Sequence, residues 1–290
     1  MHKRVYTSLL AAVALAVVAI PLAGQQAPAG RGGAGQGRGA QPAGRGAGAP
    51  TRVANIKRTA DGKPDFNGVW QTVNTANWDI QDHNAMAGPF YQMGAIGAVP
   101  AGQGVVEGND IPYTPAAKAK KQENYEKRWT LDPEVKCYMP GIPRATYMPY
   151  PFQIVQSPQN ILFAYEYATA NRVVNMGKPT EAPVDSWMGW SNGKWEGDTL
   201  VVEVTGLNGQ AWLDRAGNFT SDSVKVTERY TPIDNEHINY EVTIDDSKTF
   251  TKPWKMSMPI YKRVEKYAQL LEFKCVEFAE EMLYGHLRKR

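Results

Sequence analysis

The chain has 290 residues, and its formal net charge of +3 is unevenly distributed. The part before residue 53 has no acidic residue but carries six of the 32 basic ones, which are Lys3, Arg4, Arg31, Arg38, Arg45 and Arg52. Taking these six from 32 leaves 26 basic against 29 acidic residues, a net charge near −3 for residues 53–290. This composition excludes a strongly basic nucleic-acid-binding surface, and we expect no nucleic-acid partner.

Residues 1–24 have the layout of a secretory signal peptide. A short positive region precedes an apolar run from Leu9 to Ile20, and Pro21 followed by small residues ends that run. Cleavage after Gly24 or Ala29 fits this layout. The alternative is an uncleaved anchor, which Pro21 disfavours because it closes the run near the minimum spanning length. We therefore expect a periplasmic or extracellular protein with no stable membrane span after cleavage.

Residues 25–52 consist almost entirely of Gly, Ala, Gln, Pro and Arg. They have too little apolar surface to offset the entropy of ordering, so we predict a disordered linker. Gly-Arg repeats also occur in RNA-binding segments, but an exported protein rarely meets RNA, and a flexible tether is the interpretation we favour. One domain, residues 53–290, follows the linker and is long enough to bury a sizeable core.

The first part of the domain is predicted to be irregular apart from one surface helix. Residues 65–71 form a turn and a β-prone stretch, and residues 77–112 are rich in Gly, Pro and Ala without a clear period. Thr114 and Pro115 are typical of an N-cap and a first helical residue. The run of good helix formers over residues 116–129 then predicts a mostly polar helix.

From residue 152 the pattern changes to short strands separated by turns. Apolar and polar residues alternate along residues 237–244, as in a strand with one packed face. Asn192-Gly193 is the strongest hairpin signal among the turns. The predicted strands are 152–156, 160–167, 172–176, 187–191, 194–196, 199–205, 224–230, 237–244, 254–262 and 269–274. No helix pattern interrupts them, so we predict a mainly β fold, an antiparallel up-and-down meander that closes into a barrel.

The end of the chain predicts a helix and a disulfide. In residues 276–287 an apolar stripe at helical spacing predicts a C-terminal helix that covers one end of the barrel. Cys137 and Cys275 are the only cysteines, and in an oxidising compartment such a pair predicts one bridge. The histidines after the linker lack zinc-site spacing with a cysteine or with each other, so no metal site and no cofactor are expected.

The run Trp187–Val202, of the form W-x-G-x-S-x-G-x-W-E-G-D-T-L-V-V, resembles a family of uncharacterised secreted bacterial proteins. The resemblance extends over most of residues 60–280 and includes Asp65–Trp70, Cys137, Pro143-Arg144, Glu228–Tyr230, Asp245-Asp246, Thr251–Trp254 and Cys275. It implies secretion but no established activity. The family often has Asp in place of Trp190, and His then Gly-Asn in place of residues 276–278. Neither an acid nor a Cys–His ligand site is therefore expected at these positions.

The opening of the domain is similar to that of lipocalin-like barrels, which begin with Gly-x-Trp before a meander. Here the motif is Gly68-Val69-Trp70. The similarity implies a calycin-type barrel in which the Trp70 side chain plugs the floor. It does not identify a function, since one fold serves many functions.

Aromatic and charged residues in the segments between strands are the candidates for ligand binding. They are Arg144, Tyr147, Tyr150, Trp187, Trp190, Trp212, Asp214 and Arg215. Their Trp and Tyr rings could line a pocket for an aromatic or sugar-like ligand, or could equally form barrel core and rim. Asp214 and Arg215 could grip a polar ligand, although a loop ion pair that supports a turn is the interpretation we favour.

Glu228 is the candidate catalytic residue, because strand alternation puts it on the face of Val224 and Val226. A carboxyl group among apolar neighbours can have the raised pKa that general acid–base catalysis uses. The interpretation we favour is instead a buried bridge from Glu228 to Arg144 or Arg172.

The sequence leaves three functions open. Aromatic residues are plentiful and the motifs of nucleotide-binding and hydrolytic enzymes are missing, so we predict a protein that binds a small, partly apolar molecule in a barrel pocket. One alternative is a hydrolase, lyase or isomerase that uses Glu228 with Arg144 or Tyr150. The other is a structural or interaction module without a ligand. An open cavity with aromatic walls and paired charges would favour binding, unpaired ionisable groups would favour an enzyme, and a fully packed barrel would favour the module.

Overall fold

The structure is a computed structural model that describes residues 53–288. The predicted signal peptide and linker lie outside the described residues. Within residues 53–288, nine strands form a closed barrel in chain order, and β9 pairs with β1. The predicted mainly β barrel is confirmed. The strands are β1 (Gly68–Gln71), β2 (Phe152–Gln156), β3 (Asn160–Tyr165), β4 (Asn171–Asn175), β5 (Trp190–Glu196), β6 (Thr199–Thr205), β7 (Lys225–Pro232), β8 (His237–Asp245) and β9 (Trp254–Lys262).

Short helices lie between the strands and after the last one. The helix α1 is the predicted surface helix, and the Thr114 hydroxyl caps it by accepting a hydrogen bond from the Ala117 amide at 3.3 Å. No helix within residues 53–288 is long and apolar enough to cross a membrane. The α-helices are α1 (Pro115–Glu126), α2 (Arg128–Leu131), α3 (Arg144–Tyr147) and α4 (Ala279–Tyr284), and 3-10 helices occupy Tyr91–Gly97, Glu107–Asn109, Pro133–Lys136, Tyr167–Thr169 and Gly285–Leu287.

One pair of neighbouring strands is parallel, which corrects the predicted antiparallel meander. The strands β4 and β5 run in the same direction, whereas the other eight neighbouring pairs within residues 53–288 are antiparallel. Parallel neighbours need a connection that returns the chain along the barrel, and residues 176–189 supply it. Thr180 fastens this connection to β5, because its amide donates to Asn192 Oδ1 (3.2 Å) and its carbonyl accepts from Asn192 Nδ2 (2.9 Å).

The predicted hairpin at Asn192-Gly193 is wrong, because both residues lie inside β5. The turn comes at Gly197, which has a φ of 62°, a left-handed conformation that glycine adopts without strain. Gly193 has a packing role instead. A Cβ atom at this position would lie 2.5 Å from Met176 Sδ and 2.5 Å from Val174 Cγ1. Close packing across β5, rather than a turn, accounts for this glycine.

The chain after β9 differs from the prediction in two ways. Residues 269–274 form no strand, because β9 already pairs with β1 and leaves no free edge. The C-terminal helix is confirmed as α4, but its apolar stripe does not cover the barrel, since Val276 is 58% and Leu283 is 62% exposed. The predicted Cys137–Cys275 disulfide is confirmed, with Cα atoms 5.7 Å apart, and it ties this tail to the rest of the protein.

The barrel encloses a core formed by alternate residues of its strands. As the alternation predicted, the buried residues of β8 are Ile238, Tyr240, Val242 and Ile244. Trp70 is also buried, and its Nε1 atom donates to the Phe66 carbonyl at 2.8 Å. Lys262 lies over the same ring, with Nζ 5.2 Å from the ring centroid. The indole N–H is therefore satisfied, as a buried tryptophan requires.

Candidate functional site

The middle of the barrel holds a buried ion pair. Glu228 on β7 is fully buried, and its Oε2 atom accepts from Arg172 Nη1 at 2.6 Å. Its Oε1 atom accepts from Arg172 Nη2 at 3.1 Å and from the hydroxyls of Tyr230 and Tyr240 at 2.9 and 2.6 Å. The predicted bridge from Glu228 to Arg172 is confirmed. Arg144, the other partner considered, binds different carboxylates.

These contacts make Glu228 a poor candidate for acid–base catalysis. Four hydrogen-bond donors already contact its carboxyl group, three at Oε1 and one at Oε2. Burial and the neighbouring Glu228 raise the pKa of Tyr230 and of Tyr240 well above the usual range, so both hydroxyls stay protonated and keep donating. Burial opposes the charge of Arg172, but Glu228 outweighs burial and raises the pKa of Arg172. The geometry is that of a structural network that links Glu228, Arg172, Tyr230 and Tyr240.

Aromatic rings fill the barrel around this ion pair. The Tyr230 ring centroid lies 4.9 Å from that of Tyr240 and 5.4 Å from that of Phe163. The Arg172 guanidinium lies 4.8 Å from the Phe163 centroid, in cation–π geometry. At this level the barrel is filled by its own side chains, so space for a ligand has to come from elsewhere in the molecule.

A second buried charge cluster lies in the segment that leads into β2. Arg144 on α3 donates from Nη1 and Nη2 to the two Asp132 carboxylate oxygens, at 2.8 and 3.0 Å. The Nη2 atom also donates to Glu134 Oε2 at 2.7 Å, and Nε donates to Asn77 Oδ1 at 2.8 Å. All three nitrogens of this buried guanidinium therefore have charged or polar acceptors.

Arg215 extends this cluster to the surface. Its Nε and Nη2 atoms donate to Glu134 Oε2 and Oε1 at 2.7 and 2.8 Å, which makes a two-point contact. Its Nη1 atom lies 3.8 Å from Glu280 Oε1, and its guanidinium lies 4.4 Å from the Trp78 ring centroid. The Arg215 side chain is 20% exposed, so it connects the buried cluster with solvent.

Glu134 lies between Arg144 and Arg215, and these two arginines determine the charge of its carboxyl group. Burial disfavours the carboxylate, but Arg215 and Arg144 outweigh burial and lower the pKa of Glu134 to about 2. The cluster thus contains two carboxylates, Asp132 and Glu134, and two guanidinium groups. The four formal charges of this cluster therefore cancel.

A cleft of about 240 Å³ opens beside this cluster and the disulfide. Three aromatic side chains, Tyr150, Tyr167 and Phe273, form one wall. The Phe273 ring centroid lies 4.9 Å from that of Tyr167 and 5.3 Å from that of Tyr150. The charged residues of its lining are all in ion pairs, and they are Glu134, Arg215, Lys274, Glu280, Glu281 and Arg288. The cleft therefore combines an aromatic wall with charges that are already paired.

The two tyrosine hydroxyls of this cleft differ in their partners. The Tyr167 hydroxyl donates to the Glu134 carbonyl at 3.2 Å. The Tyr150 hydroxyl makes no hydrogen bond to any residue that the structure describes. Burial and the neighbouring Glu134 raise the pKa of Tyr150, so this hydroxyl stays protonated. It is a polar group of the cleft that is free to meet a ligand.

Three of the eight predicted ligand-binding residues lie in or beneath this cleft. Tyr150 and Arg215 line it, and Arg144 supports it through Glu134. The predicted residues Tyr147 and Trp212 are buried in the protein core, which is one of the two roles that the sequence left open for aromatic residues. A separate cleft is lined by Trp187 and Trp190.

Asp214 and Arg215 do not form the ion pair that the sequence favoured. Asp214 is fully buried, and its Oδ2 atom accepts from the Ile80 amide at 3.0 Å and from Asn218 Nδ2 at 2.6 Å. Arg215 instead turns outward to Glu134. Asp214 and Arg215 are adjacent in the sequence, but they contact Ile80 and Glu134, which are distant along the chain. The adjacency of the two residues therefore did not predict these contacts.

Glu134 and Phe273 line the cleft but were not among the predicted ligand-binding residues. A disulfide brings the neighbours of its two cysteines together, and Glu134 and Phe273 lie within three residues of Cys137 and Cys275. The predicted Cys137–Cys275 bridge therefore indicated that Glu134 and Phe273 lie near each other. Tyr167, which also lines the cleft, follows β3 in a 3-10 helix.

Comparisons with known proteins do not assign a role to this cleft. The chain matches no family model, no curated protein and no solved structure. Within residues 53–288, no group of three or more His, Cys, Asp or Glu side chains is arranged to hold a metal ion. The function has to be inferred from the groups that the cleft offers, which are aromatic faces, a free phenol hydroxyl and a paired charge.

Proposed function

We propose that this protein binds a small, partly apolar molecule outside the cytoplasm, in the cleft beside the Cys137–Cys275 disulfide. The observation that carries the proposal is an aromatic wall combined with charges already paired with each other. Such pairing leaves no activated acid or base among the described residues of the cleft. Aromatic faces with a few polar groups are the usual composition of a small-molecule site. Binding is therefore the function that this cleft supports best.

The lining also indicates the kind of ligand. Tyr150 and Phe273 meet at an interplanar angle of 87° and offer flat apolar faces. The Tyr150 hydroxyl and the exposed part of Arg215 can hydrogen-bond a polar edge. Because the three acidic and three basic residues of the lining balance each other, a neutral ligand fits better than an ion. The volume of about 240 Å³ is below the roughly 300–1,000 Å³ of most pockets, which suits a ligand of one or two rings.

Two independent features support a location outside the cytoplasm. Disulfides persist in oxidising compartments and are rare in the cytosol, and Cys137 and Cys275 form one. The layout of residues 1–24 separately predicts export. Both fit a secreted or periplasmic binding protein.

Native mass spectrometry of the protein purified from its producing cells tests the proposal. We expect an extra mass on the intact protein that disappears on denaturation and identifies the ligand. Phe273→Ser removes part of the aromatic wall and should abolish the extra mass. Tyr267→Ser is the matched control, because Tyr267 is an exposed aromatic residue of the same tail outside the cleft, and it should retain the extra mass.

Two results would contradict the proposal. A clean apo mass in repeated preparations of the wild-type protein would favour the structural or interaction module. An extra mass that survives Phe273→Ser with unchanged occupancy would place the ligand outside this cleft.

A further inference from the structure

The junction between β4 and β5 leaves an opening in the barrel wall. Two residue pairs join these strands, Val174 with Ser191 and Asn175 with Asn192. Residues 171–173 of β4 pair with β3 on one side but have no partner among the described strands on the β5 side. A cleft of about 690 Å³ lies at this opening, within the roughly 300–1,000 Å³ typical of small-molecule sites.

The lining of this second cleft combines two indole rings with free polar side chains. Trp187 and Trp190 line it, and both are partly exposed. Asn171, Asn175 and Asp185 line it as well, and their side chains make no hydrogen bond or ion pair with any described residue. The two amides offer both donors and acceptors, and the carboxylate offers acceptors. The opening therefore presents unused hydrogen-bonding groups beside flat apolar faces.

Arg172 also lines this cleft from within the barrel. It is 4% exposed, and its Nη atoms donate to Glu228 and Tyr230. Its Nε atom is buried and has no acceptor among the described residues. A buried donor without an acceptor costs free energy, so this part of the wall is not fully satisfied by the described residues. Because Glu228 neutralises the Arg172 charge, this donor does not favour an anion.

We propose that this second cleft binds a neutral saccharide. The C–H face of a sugar ring packs against an indole ring, and each sugar hydroxyl both donates and accepts hydrogen bonds. The free amides of Asn171 and Asn175 and the carboxylate of Asp185 match such hydroxyls. No unpaired cation lies among the described lining residues to hold a phosphate or sulfate. This site is separate from the cleft beside the disulfide and takes a different class of ligand.

Titration of the purified protein with glucose, N-acetylglucosamine, maltose and cellobiose tests this site. We expect saturable binding of at least one sugar by tryptophan fluorescence and saturation-transfer NMR, with a Kd of roughly 0.1–10 mM. The double variant Asn171→Ala, Asp185→Ala removes two hydrogen-bonding groups and should weaken binding about tenfold or more. Glu181→Ala, an exposed acid of the same connection outside the cleft, is the matched control and should bind like the wild type.

Either of two results would overturn the saccharide site. One is a folded protein, verified by circular dichroism, that shows no saturable binding of any of the four sugars up to roughly 50 mM. The other is an unchanged affinity in the double variant. Tyr150→Phe in the cleft beside the disulfide should leave sugar affinity unchanged, so failure of one site is distinguishable from failure of the other.

Discussion

The buried carboxyl groups of Glu228 and Asp214 have neighbours of opposite kinds, a basic side chain beside Glu228 and an acidic one beside Asp214. Glu228 faces Arg172 and two tyrosine hydroxyls. Asp214 lies near another carboxyl group, that of Asp79, and Asn218 Nδ2 is 2.6 Å from Asp214 Oδ2 and 3.5 Å from Asp79 Oδ1. Burial and then the Asp79 charge raise the pKa of Asp214 to about 7. At the residue scale, the neighbouring groups decide how each buried acid contributes to the stability of the fold.

Replacing Glu228 with Gln should strongly destabilise the protein. The amide carries no charge, so Arg172 would be left as an unpaired buried cation, and breaking a buried pair from one side costs about 3–5 kcal/mol. The control is Glu241→Gln on β8, a partly exposed position where we expect a loss below about 0.5 kcal/mol. Urea denaturation measures both free energies of unfolding. A small, equal loss in the two variants would contradict the structural role of the ion pair.

Asp214 and Glu134 predict how stability depends on pH. Folding raises the pKa of Asp214 from 3.8 to about 7, so its stabilising contribution is complete below pH 3.8 and is lost as pH rises through 7. Folding lowers the pKa of Glu134 from 4.5 to about 2, so its contribution is complete above pH 4.5 and is lost as pH falls toward 2. These two groups together favour maximal stability at about pH 4–5.

Asp79→Asn tests the origin of the decline in stability above this maximum. The variant removes a charge that raises the pKa of Asp214, so the loss of stability between about pH 5 and about pH 8 should become smaller. Thermal unfolding at a series of pH values provides the measurement. Asp110→Asn, at an exposed acid, should leave the profile unchanged. Identical profiles for Asp79→Asn and the wild type would show that the two carboxyl groups are not coupled.

At the scale of the element, β5 shows tertiary packing overriding a local turn signal. Asn192-Gly193 has the composition of a hairpin turn, yet the two residues pair with Glu203 and Val202 in an uninterrupted ladder with β6. The side chain of Val174 packs where a Cβ of Gly193 would lie. Gly193 therefore leaves room for the side chains packed against it, and β5 continues past this residue without a turn.

Gly193→Ala should therefore destabilise the barrel. The added methyl group would overlap Met176 and Val174, and overpacking of this kind costs about 1–3 kcal/mol. Gly177→Ala is the matched control, because a Cβ there meets no atom within 4 Å. Midpoints of thermal unfolding compare the two variants. A Gly193→Ala protein as stable as Gly177→Ala would mean that β4 and its connection move aside freely.

At the scale of the whole molecule, the disulfide joins the segment before β2 to the tail after β9. It closes a loop of 138 residues, for which the chain-entropy model gives roughly 4–5 kcal/mol. The aromatic wall contains Tyr150, which lies in the segment of Cys137, and Phe273, which lies in the segment of Cys275. The bridge therefore supports both the stability of the domain and the shape of the cleft.

The double variant Cys137→Ser, Cys275→Ser should lower the free energy of unfolding by up to roughly 4–5 kcal/mol. It should also accelerate hydrogen exchange in residues 263–288 and abolish the extra mass in native mass spectrometry. Wild-type protein treated with a reductant should behave like the variant, whereas the variant itself should not respond to reductant. Unchanged exchange in the tail would show that its other contacts suffice to hold it.

The sequence by itself determined the features that depend on neighbours along the chain. The two-residue period predicted the β class and the inward position of Glu228, and Thr114 marked the start of α1. The identity of the disulfide also followed, because Cys137 and Cys275 are the only cysteines. Each of these predictions follows from local backbone geometry or from the number of cysteines in the sequence.

Only the tertiary structure decided the parallel β4–β5 pair, the continuous strand β5 and the two clefts. It also decided between Arg144 and Arg172 as the partner of Glu228, since both are arginines far from Glu228 along the chain. These features depend on which distant residues come within a few ångströms of each other. Local propensity carries no such information, because ion pairing and close packing act between side chains that only the closed barrel brings together.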